Sequence, residues 1–303
     1  MKPCDRGSAL LSAMFIMTLV AIATMTLTLE LRHNIAETEL VFSASERLNA
    51  AAVARLAASE ALLNNKYKTF GRELNAKPIK LKAFQMNALP HTTISLEIQD
   101  LSQKFNINEM YQPPFKTAFY LLTKHLGEDG SGKSSFALTQ EVANWVAESR
   151  ARASQHDNQV IAHTPLVSMS ELSFIKKLSP ETLALIKPYV TLLPKGAPLN
   201  INTISEDILM SFAQGDEATK AVDKIVNMRA EKPIESLDAI QSEIKKLNIK
   251  THMLTTESQY FLAISTLNTK NQTLALYSLL ERVKNKKDNT YDVRLIQETW
   301  HAQ

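Results

Sequence analysis

The stretch SALLSAMFIMTLVAIATMTLTL, residues 8–29, contains no charged residue and follows the short polar segment MKPCDRG, residues 1–7. An ordinary secretion signal has an apolar region of about 7–15 residues followed by a small-residue cleavage site. This run is 22 residues long and has no such site after it. As a helix it extends about 33 Å, which matches a hydrocarbon core of about 30 Å. It is therefore expected to span a membrane. Lys2 and Arg6 flank it on the N-terminal side, and cationic flanks stay in the cytoplasm. The rest of the chain is then expected on the far side, and hydropathy alone is satisfied by a simple signal anchor carrying an outer domain.

Outward from this run, no glycine or proline follows until Gly71, and alanines are dense at 50–52, 54, 57, 58 and 61. The helix is expected to continue to residue 64, about 85 Å in all. Leu31, Ile35, Val41, Leu48, Ala52, Leu56 and Leu63 recur at helical spacing, so the second half carries one apolar face. After Gly71 the pattern turns to alternation at 78–83 and 94–98, and again at 261–264, 274–280 and 291–296 between polar turns. From about 101 to 250 it is helical. A helical block thus interrupts a sheet. Thr203 and Glu206 have capping-box spacing ahead of Ile208, Leu209 and Phe212.

The chain has 303 residues, 45% hydrophobic and 21% charged, as folded proteins do, and a net charge of +3 that does not indicate a nucleic-acid partner. Removal of residues 1–7 would take away the one cysteine, Cys4, leaving a domain stabilised by burial alone. GEDGSGKS at 127–134 fits a phosphate-loop pattern, but the preceding PPFKTAFYLLTKHL reads as an amphipathic helix where a buried strand is required. The segment from Asn202 to Ser236 resembles a helix-hairpin-helix unit whose turn, Ala213 to Glu217, sets two carboxylates where phosphate would lie. Seven histidines show no paired metal spacing, and neither a nucleophile elbow nor zinc-histidine pairs occur. No enzyme activity is expected. Arg229 and Arg282 fit either solvated charges or intersubunit partners.

The leader MKPCDRG resembles that of prepilins, which implies cleavage between Gly7 and Ser8 and methylation of the new N-terminus. Most such proteins carry glutamate at the fifth mature position, where this chain has Ser12. A carboxylate in an apolar layer is costly unless paired, and a tip subunit has no subunit ahead of it to supply the partner. Ser12 thus resembles the K-type minor pseudopilins of type II secretion systems, the general secretion pathway protein K family. DLSQKFNIN at 100–108 and PLNINT at 198–203 fit that family's signature, as do Asn144-Trp145, PLVSMSEL at 165–172 and Ser258-Gln259-Tyr260-Phe261.

The resemblance implies an α+β fold: a pilin-like long N-terminal helix on a small antiparallel sheet, with a large all-α insert of two helical subdomains of SAM-like, helix-hairpin-helix-like type. The expected segments are a leader at 1–7, a stalk helix at 8–64 with its span at 8–29, and a first core part at 65–101. Insert subdomains follow at 102–198 and 199–250, and core strands at 251–303. It implies a tip subunit that initiates or caps the pseudopilus, with I- and J-type minor pseudopilins, other pseudopilins, the prepilin peptidase and the inner-membrane secretion platform as partners. Its place would be the bacterial inner membrane, single-pass, with the C-terminal domain in the periplasm. The family often carries an acidic loop after the tryptophan, with aspartates at alternate positions whose oxygens suit calcium. Here Trp145 is followed by Val146, Ala147, Glu148, Ser149 and Arg150, so the alternating aspartates are missing. Asp157 and Asn158 remain beside the intruding Arg150 and Arg152, so calcium stays open with no ligands assigned, and no other cofactor is expected. The competing function is a permanently anchored periplasmic protein that binds DNA or another ligand.

Overall fold

The computed structural model describes residues 5–64, 70–72, 77–86, 89–127, 133–155, 166, 169–175, 178–268, 273–285 and 290–302. Helix α1 runs Asp5–Leu63, 59 residues without a break. It begins inside the leader because nothing between Pro3 and Gly71 interrupts a helix except the tolerated Gly7.

Strands β1 (Ile79–Met86) and β2 (Leu89–Asp100) precede the insert. Within the insert lie β3 (Phe105–Asn106), α2 (Pro113–Leu126), α3 (Lys133–Gln155), α4 (Pro180–Ile186), β4 (Val190–Thr191) and β5 (Leu199–Asn200). Then come α5 (Glu206–Ser211), α6 (Asp216–Glu231), α7 (Gln241–Ile244) and β6 (Leu254–Thr255). Strands β7 (Tyr260–Asn268), β8 (Thr273–Lys284) and β9 (Tyr291–Ala302) complete the core sheet, in order β1-β2-β7-β8-β9. Every neighbour pair in it is antiparallel. The insert leaves and re-enters at adjacent strand ends, where Leu101 N–H donates to Tyr260 O at 2.9 Å.

One sheet face buries Ile94, Leu96, Ile98, Phe261, Leu276 and Leu280 under α1. The helix meets them with Ala50, Ala51, Ala54, Ala58, Ala61 and Leu62. Short side chains let the helix axis approach the sheet while the long residues of the strands fill the gap. The Leu48–Leu56–Leu63 stripe read from the sequence is not this packing face: Leu48 and Leu56 are 67% and 73% exposed. Periodicity located an apolar stripe correctly, but the alanines form the opposite, buried one.

The two expected insert subdomains share one continuous core. Phe105 lies 5.5 Å from Phe115, 5.8 Å from Phe119 and 6.1 Å from Phe212, ring centre to ring centre. The helix before Gly127 is α2, which buries Phe115, Ala118, Phe119 and Leu122, so the phosphate-loop pattern follows a helix and not a strand. The cap of α5 is Ser205, whose hydroxyl accepts from Ile208 N–H. Thr203, the expected cap, is buried two residues too early and faces the Asp100 carboxylate without reaching hydrogen-bond geometry.

Candidate functional site

The apolar half of α1 contains a segment long and apolar enough to cross a membrane, Leu11–Ile35, none of it covered by the rest of the chain. Four threonines lie in it. Thr18, Thr24, Thr26 and Thr28 return their hydroxyls to carbonyls three or four residues earlier, which satisfies them without water. The Gly7–Ser8 bond lies within the helical backbone, and Ser12 is on the exposed surface of the same helix. The side chains of Gly7's neighbours and of Ser8 lie outside the described residues.

Beyond the span, α1 has two opposed faces. The alanine face is held on the sheet by Arg55 Nη1 to Glu298 Oε2 at 2.6 Å and by Thr92 Oγ1 donating to Glu46 Oε1 at 2.6 Å. Leu48, Leu56 and Leu63 point outward. The chain's own sheet does not use this stripe.

At the end of α1 the stalk, sheet and insert converge on a buried polar hub. Gly71 has φ +79°, and its carbonyl accepts from Ser258 N–H at 2.9 Å and from Asn200 Nδ2 at 2.6 Å. The Ser258 hydroxyl donates to Asp100 Oδ2 at 2.5 Å, and Ser102 N–H donates to Asp100 Oδ1 at 2.8 Å. Burial pushes the Asp100 carboxyl above its ordinary range, against the hydrogen bonds from Ser258 and Ser102 and the Arg282 charge. Arg282 donates to the carbonyls of Phe70 and Ser258, both at 3.2 Å, and to Leu62 O at 3.5 Å. Its guanidinium lies 4.7 Å from the Phe261 ring centre and 5.4 Å from that of Tyr291. Burial lowers its pKa.

Arg229 is also internal, donating to Ile201 O at 2.8 Å and Ile204 O at 2.7 Å. Neither arginine is a surface charge or an intersubunit contact, which corrects both options read from the sequence. Nothing in the local sequence of β8 distinguishes Arg282 from its alternating neighbours.

The two Asn-Ile-Asn motifs build the same device twice. β3 pairs in parallel with β4, and β5 with β6. In each motif the first asparagine accepts from the N–H two residues on, Asn106 from Asn108 at 3.1 Å and Asn200 from Asn202 at 3.0 Å. The second asparagine clamps two distant segments. Asn108 donates to Leu166 O and Leu193 O and accepts from Leu166 N–H. Asn202 donates to Ile234 O and Thr256 O and accepts from Ile234 N–H. These asparagines bolt together segments far apart in the chain.

Asn202→Ala should cost about 2–4 kcal/mol, because buried partners lose their bonds. Asn202→Asp should cost more at neutral pH, since a carboxylate would face the two carbonyls that now receive N–H groups. Urea unfolding of the full chain in detergent measures both.

The helix-hairpin-helix-like turn is α5, Gly215 at φ +86° and α6, with Asp216 and Glu217 in the first turn of α6. Glu217 pairs with Lys220 and Lys246. Among the described residues no three histidine, cysteine or acidic side chains converge as metal ligands. Trp145 to Arg150 continue the backbone of α3, and Asp157 and Asn158 lie outside the described residues.

No family model matches the chain. It is 26% identical over 211 residues to the type II secretion system protein K of Pseudomonas aeruginosa, and the match covers 64% of this chain and 62% of that protein. The chain therefore spans less than two thirds of that relative's length. A chain in the crystal structure of the GspK-GspI-GspJ complex from the type 2 secretion system of enterotoxigenic Escherichia coli superposes with a TM-score of 0.56 at 18% identity. That superposition covers 86% of this chain and 99% of the other, and it fixes the fold as α+β of the same kind. The resemblance read from the leader and the asparagine motifs thus meets a sequence relative that is a protein K and, in fold, a chain of a complex that contains GspK.

Proposed function

We propose that this chain is a K-type minor pseudopilin of a type II secretion system, a structural subunit and not an enzyme. It is held by α1 in the bacterial inner membrane with its C-terminal domain in the periplasm, is cut between Gly7 and Ser8, and is methylated there. It acts at the pseudopilus tip, initiating or capping the fibre together with I- and J-type partners. The observation that carries this reading is the division of α1 into a lipid-length half and a half with two apolar faces. One face docks on the chain's own sheet through alanines, and the other, Leu48, Leu56 and Leu63, stays exposed. A permanent anchor needs only the first half and the first face. A subunit that leaves lipid for a bundle of neighbouring helices needs the second face as well.

Ser12 supports the tip position, since a subunit with none ahead gains nothing from a buried acid. The broad insert supports it too, because it would obstruct a subunit stacked above.

Mass spectrometry of the mature chain tests the processing step: a methylated N-terminus at Ser8 is expected, and an intact Met1 would instead favour a permanently anchored binding protein. Leu56→Glu tests the face. It replaces an exposed side chain, so the fold and its unfolding midpoint should hardly change. Co-purification with the I- and J-type subunits, and export of folded cargo, should fall by about tenfold or more, the effect of about 1.4 kcal/mol or more lost at a helix contact. Unchanged export would remove the stripe from the assembly.

A further inference from the structure

The sheet face opposite α1 is not covered as its partner is. Between this face and the insert lies a cleft of about 360 Å³, within the range of about 300–1,000 Å³ usual for ligand sites. Its floor is Leu262, Ile264 and Leu279 from β7 and β8, and the insert contributes Val190 and Leu192 as a wall. Lys104 and Lys187, both on the insert side, also line it, and no lining residue is acidic. Burial lowers the pKa of Lys104, and the charge of Lys187 adds to this. Among the described residues neither ammonium group has a carboxylate partner. Glu97 is the nearest acid on this face of β2, and it is occupied by Lys80 and by the Gln99 amide, at 3.2 and 2.8 Å.

Two like charges held beside an apolar floor, with no carboxylate partner among the described residues, make a site for an anion that carries an apolar body. The polar groups decide which kind. Gln99 on β2, Tyr277 on β8, and Gln297 and Thr299 on β9 put amides and hydroxyls along the cleft. Under an acyl chain these would lose water and gain nothing, at about 1–3 kcal/mol each. Main-chain N–H and C=O groups of a peptide would satisfy them. The cleft crosses from β2 to β9, three strand spacings or about 14 Å, which an extended chain covers in about four residues.

We propose that this cleft binds the carboxyl-terminal end of another protein chain, about four extended residues with apolar side chains on the Leu262–Ile264–Leu279 floor and the terminal carboxylate between Lys104 and Lys187. The site lies on the sheet face away from α1, so it is independent of the pseudopilin reading and neither stands nor falls with it.

The probe is the fluorescently labelled peptide Gly-Leu-Val-Leu with a free carboxylate, titrated by anisotropy into the full chain in nanodiscs, beside the same peptide as its C-terminal amide. The acid should bind about tenfold or more tightly than the amide, as loss of a charged hydrogen bond predicts. Lys104→Gln with Lys187→Gln should reduce the acid to the level of the amide, with near-ultraviolet circular dichroism unchanged because glutamine keeps most of each lysine's apolar stem and a polar end. Thr299→Trp, which fills the cleft from the edge strand, should weaken acid and amide alike. Equal affinity for acid and amide would overturn the proposal, as would no binding by about 1 mM, or an unaltered acid affinity in the double lysine variant. Tighter binding of decanoate than of the peptide would overturn it in favour of a lipid-derived ligand.

Discussion

Gly71→Ala is expected to destabilise the chain by about 3–6 kcal/mol, a large part of the about 5–15 kcal/mol that holds a typical domain folded. Two costs combine. At φ +79° a residue with a Cβ pays about 1–2 kcal/mol. That Cβ would also lie 2.6 Å from the Ser258 Cβ and 3.0 Å from its hydroxyl oxygen, and Ser258 cannot yield freely because it is buried and bonded to Asp100 and Asn200. Relief of the overlap costs about 1–3 kcal/mol, and the disturbed hydrogen bonds add about 1 kcal/mol more. Gly196→Ala separates the two costs. Gly196 has nearly the same backbone angle, φ +78°, but nothing within 4 Å of where its Cβ would stand. It should lose only the conformational cost, about 1–2 kcal/mol. Urea unfolding of the two variants side by side measures the difference, and equal losses would show that the hub can relax around an added methyl group.

The contrast explains why the chain runs unbroken from Asp5 to Leu63 and then meets a glycine. The turn at Gly71 brings the main chain close enough to Ser258 and Asn200 for its carbonyl to be shared between them. Stalk, sheet and insert are thereby fixed to one another at a single carbonyl. Orientation of the insert relative to α1 is set here, some 40 residues past the apolar span.

Much of this architecture was legible in the sequence, because it rests on periodicity. The alternation at 94–98 and 274–280 is two-residue and so can only be one face of a sheet, and those residues do lie under α1. The insert's start and its second half were marked by Phe-Asn-Ile-Asn and Leu-Asn-Ile-Asn. What periodicity does not encode is which stripe of an amphipathic helix meets its own domain. On α1 the leucine stripe was the legible one, yet a helix can lie close to a sheet of isoleucines and leucines only through small residues. The alanines, read only as helix formers, were the contact. The asparagine clamps were unreadable for another reason: their partners, Leu166 and Leu193 or Ile234 and Thr256, are backbone groups, and backbone leaves no mark in a sequence. The same holds for Ser205, which caps α5 from a position that competes with Thr203 on spacing alone.

Arg282 is the sharpest case of a role invisible in the sequence, and its removal is the second large effect expected. An arginine 6% exposed, its guanidinium donating to three carbonyls and lying near two rings, is costly to bury and costlier to delete. Arg282→Ala leaves the carbonyls of Leu62, Phe70 and Ser258 facing a cavity, and should cost about 3–5 kcal/mol. Arg282→Lys keeps the charge but replaces a planar fork by a point donor that cannot serve carbonyls on three segments at once, so it should recover less than half of that loss. The readout that distinguishes a hub from mere packing is local. Leu62 O belongs to the last turn of α1, so hydrogen exchange in residues 61–64 should quicken in Arg282→Ala before the sheet amides of β7 do. Uniform acceleration across α1 and β7 would mean that Arg282 supports the core as a whole and does not fasten the stalk to it.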